Sequence, residues 1–264
     1  SGIRLFGGAR FAQSSPANHW PFPGDFYFIP KAEVTRAGSS TKLAIHFTRD
    51  DLETSDVAAW IAGLDRMAKP RKPGVLTRSD QPPFSQWSEA VHLALQQISS
   101  GLLDKVVLAR QSTFELAEKI TPYALLGLIM GETPACFHFC FEPTKESGAF
   151  LGASPEQLYR RVGRNVESEA IAGTRPRSLD PAEDARLESQ LRDFSKERLE
   201  HRLVVDELAR AFRELCVDFS HDELPAVLKL ARVQHLQTHL RGQLAADLSD
   251  GEILEGLHPT PATC

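Results

Sequence analysis

Residues 151–174 read LGASPEQLYRRVGRNVESEAIAGT. A run ending in Leu151 meets a Ser154-Pro155 turn. Two strand-like stretches, 157–162 and 165–172, then flank Gly163-Arg164, and the second runs into the small-residue turn Gly173-Thr174. Alternating apolar residues on both sides of a glycine turn predict an antiparallel hairpin. Upstream, GLLDKVVLAR occupies 101–110, with Lys105 between Asp104 and the apolar Val106, Val107, Leu108 and Ala109. Both stretches set a titratable side chain where charge is costly: Lys105 at the head of an apolar run and Glu156 just after Ala149-Phe150-Leu151. Burial favours the neutral form of each, which suits a base and an acid with shifted pKa values.

Working outward, 24–48 holds two strand-like runs, DFYFIPK and TKLAIHF, with AGSS as a turn. Residues 55–69 carry helical spacing after a Ser55 cap. KPRKPGVLTRSDQPP, 69–83, reads as a loop or linker, and 85–100 as a helix ended by Gly101. A strand is expected over Lys105–Leu116. A capped helix from Thr121-Pro122 to Gly131 follows, then paired strands at 135–142 and 149–152. Residues 181–216 read as a long helix kinked near Phe194-Ser195, and 224–244 returns to strand character. Mixed order without a steady βαβ repeat predicts an α+β fold, with large mostly antiparallel sheets and helices packed outside. The expected division is 1–83, a sheet/helix segment and linker, and 84–264, a catalytic core. The chain starts in what reads as the middle of a sheet and stops at LHPTPATC on a turn signal. The fold is therefore expected to be incomplete at both ends, with the core cut at its C-terminus.

The 264 residues are 42% apolar and 25% charged, an ordinary globular balance. A net charge of −5 argues against nucleic-acid binding, which needs a basic surface. No apolar run reaches the roughly 20 residues of a membrane helix, and no signal peptide is visible. Four cysteines fit a reducing cytoplasm. Cys136 and Cys140 share a strand face with His138, but the usual zinc spacings are missing. They read as small buried side chains opposite Phe137, Phe139 and Phe141.

Further candidates lie along the chain. Gly173 and Thr174 offer N–H groups and a hydroxyl able to hold an anion, with Arg175 and Arg177 beside them. Glu200, Val204, Leu208 and Phe212 recur by fours, so a carboxylate is expected on the apolar stripe of its helix, where it needs a cation or metal. Oxygen ligands of this kind suit Mg²⁺. His235 alternates with apolar neighbours in RVQHLQTHL, a pattern commoner for a satisfied core histidine.

The pieces DKVVLAR, FLGASPEQL, ESEAIAGTRPR, KERLEHRLVVDELA, RVQHLQTHLRGQL and LHPTPA, in this order over 85–264, resemble the chorismate-utilising enzymes. That group includes isochorismate, anthranilate, aminodeoxychorismate and salicylate synthases, and the sequence is most similar to bacterial isochorismate synthases. Lys105 stands where ammonia-using anthranilate synthases usually carry glutamine. Ala172 stands where aminodeoxychorismate synthases have a nucleophilic lysine. Glu169-Ala170 replaces the Arg-Pro typical before IAGT in anthranilate synthases, and the chain departs from the PLAGT of salicylate synthases.

The resemblance implies the chorismate-binding fold and a Mg²⁺-dependent conversion of chorismate to isochorismate. It implies Lys105 as the base that activates water, Glu156 as the acid, and Glu200 as a Mg²⁺ ligand. Gly173, Thr174, His235 and Ala262 would contact substrate. Chorismate would be the small-molecule partner in the cytoplasm, with no nucleic acid, membrane or obligatory protein partner. Menaquinone and siderophore synthesis both draw on isochorismate. The rival expectations are a salicylate synthase, an anthranilate synthase component, and a non-catalytic small-acid-binding domain.

Overall fold

A computed structural model describes residues 3–9, 11, 24–46, 70–144, 146 and 148–263. The helix expected over 55–69 lies outside the described residues. The chain forms two compact units: Ser1–Pro70 with Cys140–Leu151, and Arg71–Phe139 with Gly152–Cys264.

The first unit carries two antiparallel pairs, β1 (Phe6–Ala9) with β2 (Asp25–Phe28), and β3 (Ala32–Ala37) with β4 (Ser40–Ile45). STKLAI therefore pairs with AEVTRA rather than with DFYFIPK. The turn at Gly38, with φ of +59°, joins adjacent stretches and selects the nearer partner.

In the second unit, β5 (Val75–Gln81) pairs with β6 (Gln111–Leu116) across α1 (Phe84–Ser99). The stretch expected as a loop contains β5, and the strand expected from Lys105 begins only at Gln111. Gln111 pairs with Gln81, and the chain beyond Gln81 is Pro82-Pro83, which has no N–H to donate, so the ladder stops there. Residues 105–110 are irregular, and Val106 and Val107 are 39% and 44% exposed. The apolar run after Lys105 is thus not a buried strand among the described residues. Next come α2 (Pro122–Glu132), capped by the Thr121 hydroxyl, then β7 (Phe137–Phe141) and β8 (Phe150–Ser154). Helix α2 runs one residue past Gly131 to a cap at Thr133.

The core is a five-stranded antiparallel sheet of order β11-β13-β10-β9, with β12 also on β13. Its strands are β9 (Arg160–Val162), β10 (Asn165–Pro176), β11 (Cys216–His221), β12 (Ala226–Lys229) and β13 (Val233–Leu244). The hairpin about Gly163, φ +62°, forms where expected, but its first strand begins only at Arg160 and its second runs on through the expected Gly173-Thr174 turn to Pro176. Instead of one kinked helix there are two, α3 (Pro181–Asp193) and α4 (Ser195–Leu215), separated by an extended Phe194. The short α5 (Asp250–Leu257) carries a Ser249/Glu252 capping box.

Helix α4 packs Val204, Leu208, Ala211 and Phe212 against Val166, Ala170 and Ala172 of β10 and Leu240 and Leu244 of β13. Each larger side chain contributes about 1.5–3 kcal/mol on burial. At Gly242 an added Cβ would lie 2.7 Å from Cys216 Sγ of β11 and 3.1 Å from Phe212 Cδ1 of α4, so glycine is what lets the sheet approach both.

Candidate active site

On β13 the even-numbered residues Gln234, Leu236, Thr238 and Leu240 are buried, whereas His235, Gln237 and His239 are only partly covered. Directly opposite on β10 stand Thr174, Ile171 and Glu169 respectively. Opposed residues share a face in an antiparallel sheet, so these six line the face away from α4. Strict alternation from Glu169 through Ile171 would place residue 173, not Thr174, on that face. A register shift between Ala172 and Thr174 corrects this. Gly173 is the extra residue, with φ of +73°, and a Cβ there would lie 3.2 Å from Glu197 Cβ. The bulge needs glycine both for its conformation and for the approach of α4. It turns the Thr174 hydroxyl to 3.1 Å from His235 Nδ1, which also lies 3.3 Å from the Gly173 carbonyl.

Glu156 sits on the turn after β8. Ser154 Oγ accepts from the Glu156 N–H and donates to the Glu156 carbonyl, each at 3.2 Å. Two consecutive β10 residues strap the following segment: Ser168 Oγ donates to the Leu158 carbonyl at 2.7 Å, and Glu169 Oε1 accepts from the Gln157 N–H at 3.0 Å. Burial, and after it the neighbouring Glu169 carboxylate, raise the Glu156 pKa while the Lys105 ammonium opposes both, for a net value of about 7. The structure therefore brings Lys105 and Glu156 within electrostatic reach of each other, although Lys105 arrives on an irregular segment.

Glu200 differs from its expected setting. Its side chain is 34% exposed, 3.6 Å from Lys196, and close enough to His235 to favour the protonated imidazole. The inward carboxylate is Glu197, 1% exposed, with Oε1 2.5 Å from Arg175 Nη1. The cause is helical drift. An α-helix turns about 100° per residue, so counting by fours gains about 40° per step and leaves Glu200 about 120° from Phe212. Glu197 is about 60° away and His201 about 20°. The stripe 197-201-204-208-212 was visible in the sequence and would have found both.

Glu197 Oε2 is fully buried and has no hydrogen-bond partner among the described residues. An orphaned carboxylate oxygen one turn from a half-open carboxylate fits a hard divalent cation with oxygen ligands, although no cluster of three or more metal-ligating residues occurs among the described residues. Ala262 lies in a turn after α5, half-buried against the core. No hydrogen bond or ion pair among the described residues ties it to the other candidates.

Architecture and geometry together define an α+β protein with an acid–base cluster on the open face of an antiparallel sheet. Residues 1–264 match the model of the chorismate binding enzyme family, so the chain belongs to that family. It is 32% identical over 278 residues to chloroplastic isochorismate synthase 2 of Arabidopsis thaliana, covering 99% of this chain and 49% of that protein. It is 34% identical over 271 residues to the salicylate biosynthesis isochorismate synthase of Pseudomonas aeruginosa, covering 98% and 56%. The solved structure of MenF, the menaquinone-specific isochorismate synthase from Escherichia coli, superposes with a TM-score of 0.81 at 27% identity, covering 99% of this chain and 59% of that one. The chain spans about half the length of the curated relatives it matches.

Proposed function

We propose that the protein is an isochorismate synthase. Water adds at C2 of chorismate, the ring double bonds shift, and the C4 hydroxyl departs. Lys105, as the neutral amine, takes a proton from the attacking water. Glu156, as the acid, gives one to the departing oxygen, which leaves as water. Bonds and charges balance, and no covalent intermediate forms with the protein. The observation that carries the reading is the Glu156 carboxyl, raised to about 7 by burial and Glu169 and within reach of Lys105. The two protonation demands reinforce each other, because a neutral Lys105 no longer favours the Glu156 carboxylate. Each proton transfer contributes about 10²- to 10⁴-fold in rate.

Thr174, His235 and the Gly173 backbone offer polar groups to the substrate carboxylates, and Ala262 is proposed as a further contact because the LHPTPA motif resembles that of the family. Glu200, with the orphaned oxygen of Glu197 behind it, would hold Mg²⁺. When bound, that ion supplies positive charge that offsets the repulsion between a dianionic substrate and an acidic protein. Chorismate is the proposed partner, and the proposed setting is the cytoplasm. No helix among the described residues is long and apolar enough to cross a membrane.

Chromatography of products from wild type, Lys105→Ala and Glu156→Gln tests the reading. Wild type should accumulate isochorismate, and both variants should bind chorismate yet lose turnover. Near-normal turnover by either variant removes that residue from its role. Salicylate with pyruvate from the wild type would instead mark a salicylate synthase.

A further inference from the structure

Glu169 stands out among the carboxylates that the proposed reaction leaves unused. It lies mid-strand on the open face of β10, mostly covered, with both oxygens engaged. Oε1 accepts from the Gln157 N–H at 3.0 Å, and Oε2 accepts from Gln237 Nε2 at 2.6 Å. His239 Nδ1 lies 3.9 Å away, directly opposite in the sheet. A short surface carboxylate has no need of such anchoring. Here two strands fix one carboxylate against the backbone of the residue that follows Glu156.

We propose that Glu169 is a positioning residue for Glu156: it clamps the 155–158 turn onto β10 and sets a second carboxylate beside the acid. The proposal rests on Glu156 being the acid of the reaction. Glu169 is held by an N–H and an amide, and its carboxylate adds to burial in raising the Glu156 pKa. Among the described residues, Lys105 is the other charged group acting on Glu156, and His239 faces Glu169 from the neighbouring strand. Gln237 completes the device by donating an Nε2 hydrogen to Glu169 Oε2, which orients that carboxylate. The clamp also explains why Glu156 can be an acid on a turn. Ser154, Ser168 and Glu169 together fix residues 154–158 from both sides, and a rigid support is what a proton donor on a loop otherwise lacks.

The test compares Glu169→Gln, Glu169→Asp and Glu156→Gln in the protein by two readouts. The first is ¹³C NMR titration of the glutamate side-chain carboxyls, with the Glu156 signal assigned by its loss in Glu156→Gln. The second is the pH profile of kcat and KM for chorismate. Glu169→Gln keeps an acceptor for the Gln157 N–H and removes the charge. The Glu156 titration and the alkaline limb of kcat should both move to lower pH, about tenfold in rate above the limb for each pH unit moved, while KM changes little. Glu169→Asp retains the charge and should return the titration toward wild type. An unmoved Glu156 titration in Glu169→Gln overturns the positioning role, whatever the activity. If Glu156→Gln still turns over with its alkaline limb intact, it is the acid assignment that fails, and the titration still reports separately on Glu169.

Discussion

His201 is predicted to make the fold acid-sensitive. The side chain lies on the buried stripe of α4, 4% exposed, with Nε2 2.8 Å from Thr238 Oγ1 of β13. Nδ1 is buried without a hydrogen-bond partner among the described residues. Burial pushes the imidazole pKa from 6.5 to about 4, and the nearby Ala172 backbone offsets this only in part. A difference of that size corresponds to about 3 kcal/mol at most. Above pH 6.5 the ring is neutral in folded and unfolded states, and the histidine costs nothing. As pH falls toward 4 the unfolded ring takes a proton that the folded ring refuses, so stability is lost across that window and not below it.

Glu156 acts in the opposite sense. Its folded pKa is raised from 4.5 to about 7, so the folded state takes up the proton first and gains stability as pH falls from about 7 through 4.5. The two effects overlap, and a wild-type profile alone hides both. The informative quantity is the difference between wild type and His201→Gln, which keeps a polar group toward Thr238 but does not titrate. In urea denaturation followed by circular dichroism at fixed ionic strength, the difference should move in favour of the variant by up to about 3 kcal/mol between pH 7 and pH 4. His235, also depressed by burial, is present in both proteins and cancels. Asp184, held near 2 chiefly by Arg177, titrates below the window. Parallel stability profiles for the two proteins would refute the reasoning.

Three other perturbations have defined outcomes. Gly173→Ala forces a Cβ into a left-handed conformation 3.2 Å from Glu197 Cβ. It should cost about 1–3 kcal/mol in denaturant unfolding, and no loss would mean that the bulge relaxes freely. Arg175→Met leaves the Glu197 carboxylate buried without its partner, a change expected to cost about 3–5 kcal/mol; adding Glu197→Leu should recover much of it, and strict additivity of the two losses would argue against direct coupling. Glu200→Gln should weaken Mg²⁺ binding in isothermal titration while thermal stability without metal changes little, and unaltered binding would make Glu200 a surface carboxylate paired with Lys196.

Local chemistry was legible wherever neighbours in sequence decide the outcome. The hairpin at Gly163, the Thr121 cap on α2 and the strand character of 224–244 follow from turn residues, capping hydroxyls and alternation, each confined to a few residues. Lys105 and Glu156 stand out because charge next to apolar runs needs a reason, Thr174 because a small-residue turn exposes its hydroxyl, and His235 only through the family resemblance. What the sequence could not say is which strand each stretch meets. The start of β6 depends on Pro82 and Pro83, some 28 residues away along the chain from Gln111. The place of Thr174 on the open face depends on a one-residue register shift against β13. The identity of the inward carboxylate, Glu197 rather than Glu200, was a matter of helical phase that the pattern already held. The raised pKa of Glu156 was not: it depends first on burial in the assembled fold and then on Glu169, 13 residues on, held by Gln157 and Gln237. Pairing of strands distant in sequence is settled by burial of one sheet face and by the register that closes the most hydrogen bonds, and both are properties of the assembled sheet rather than of any segment in it.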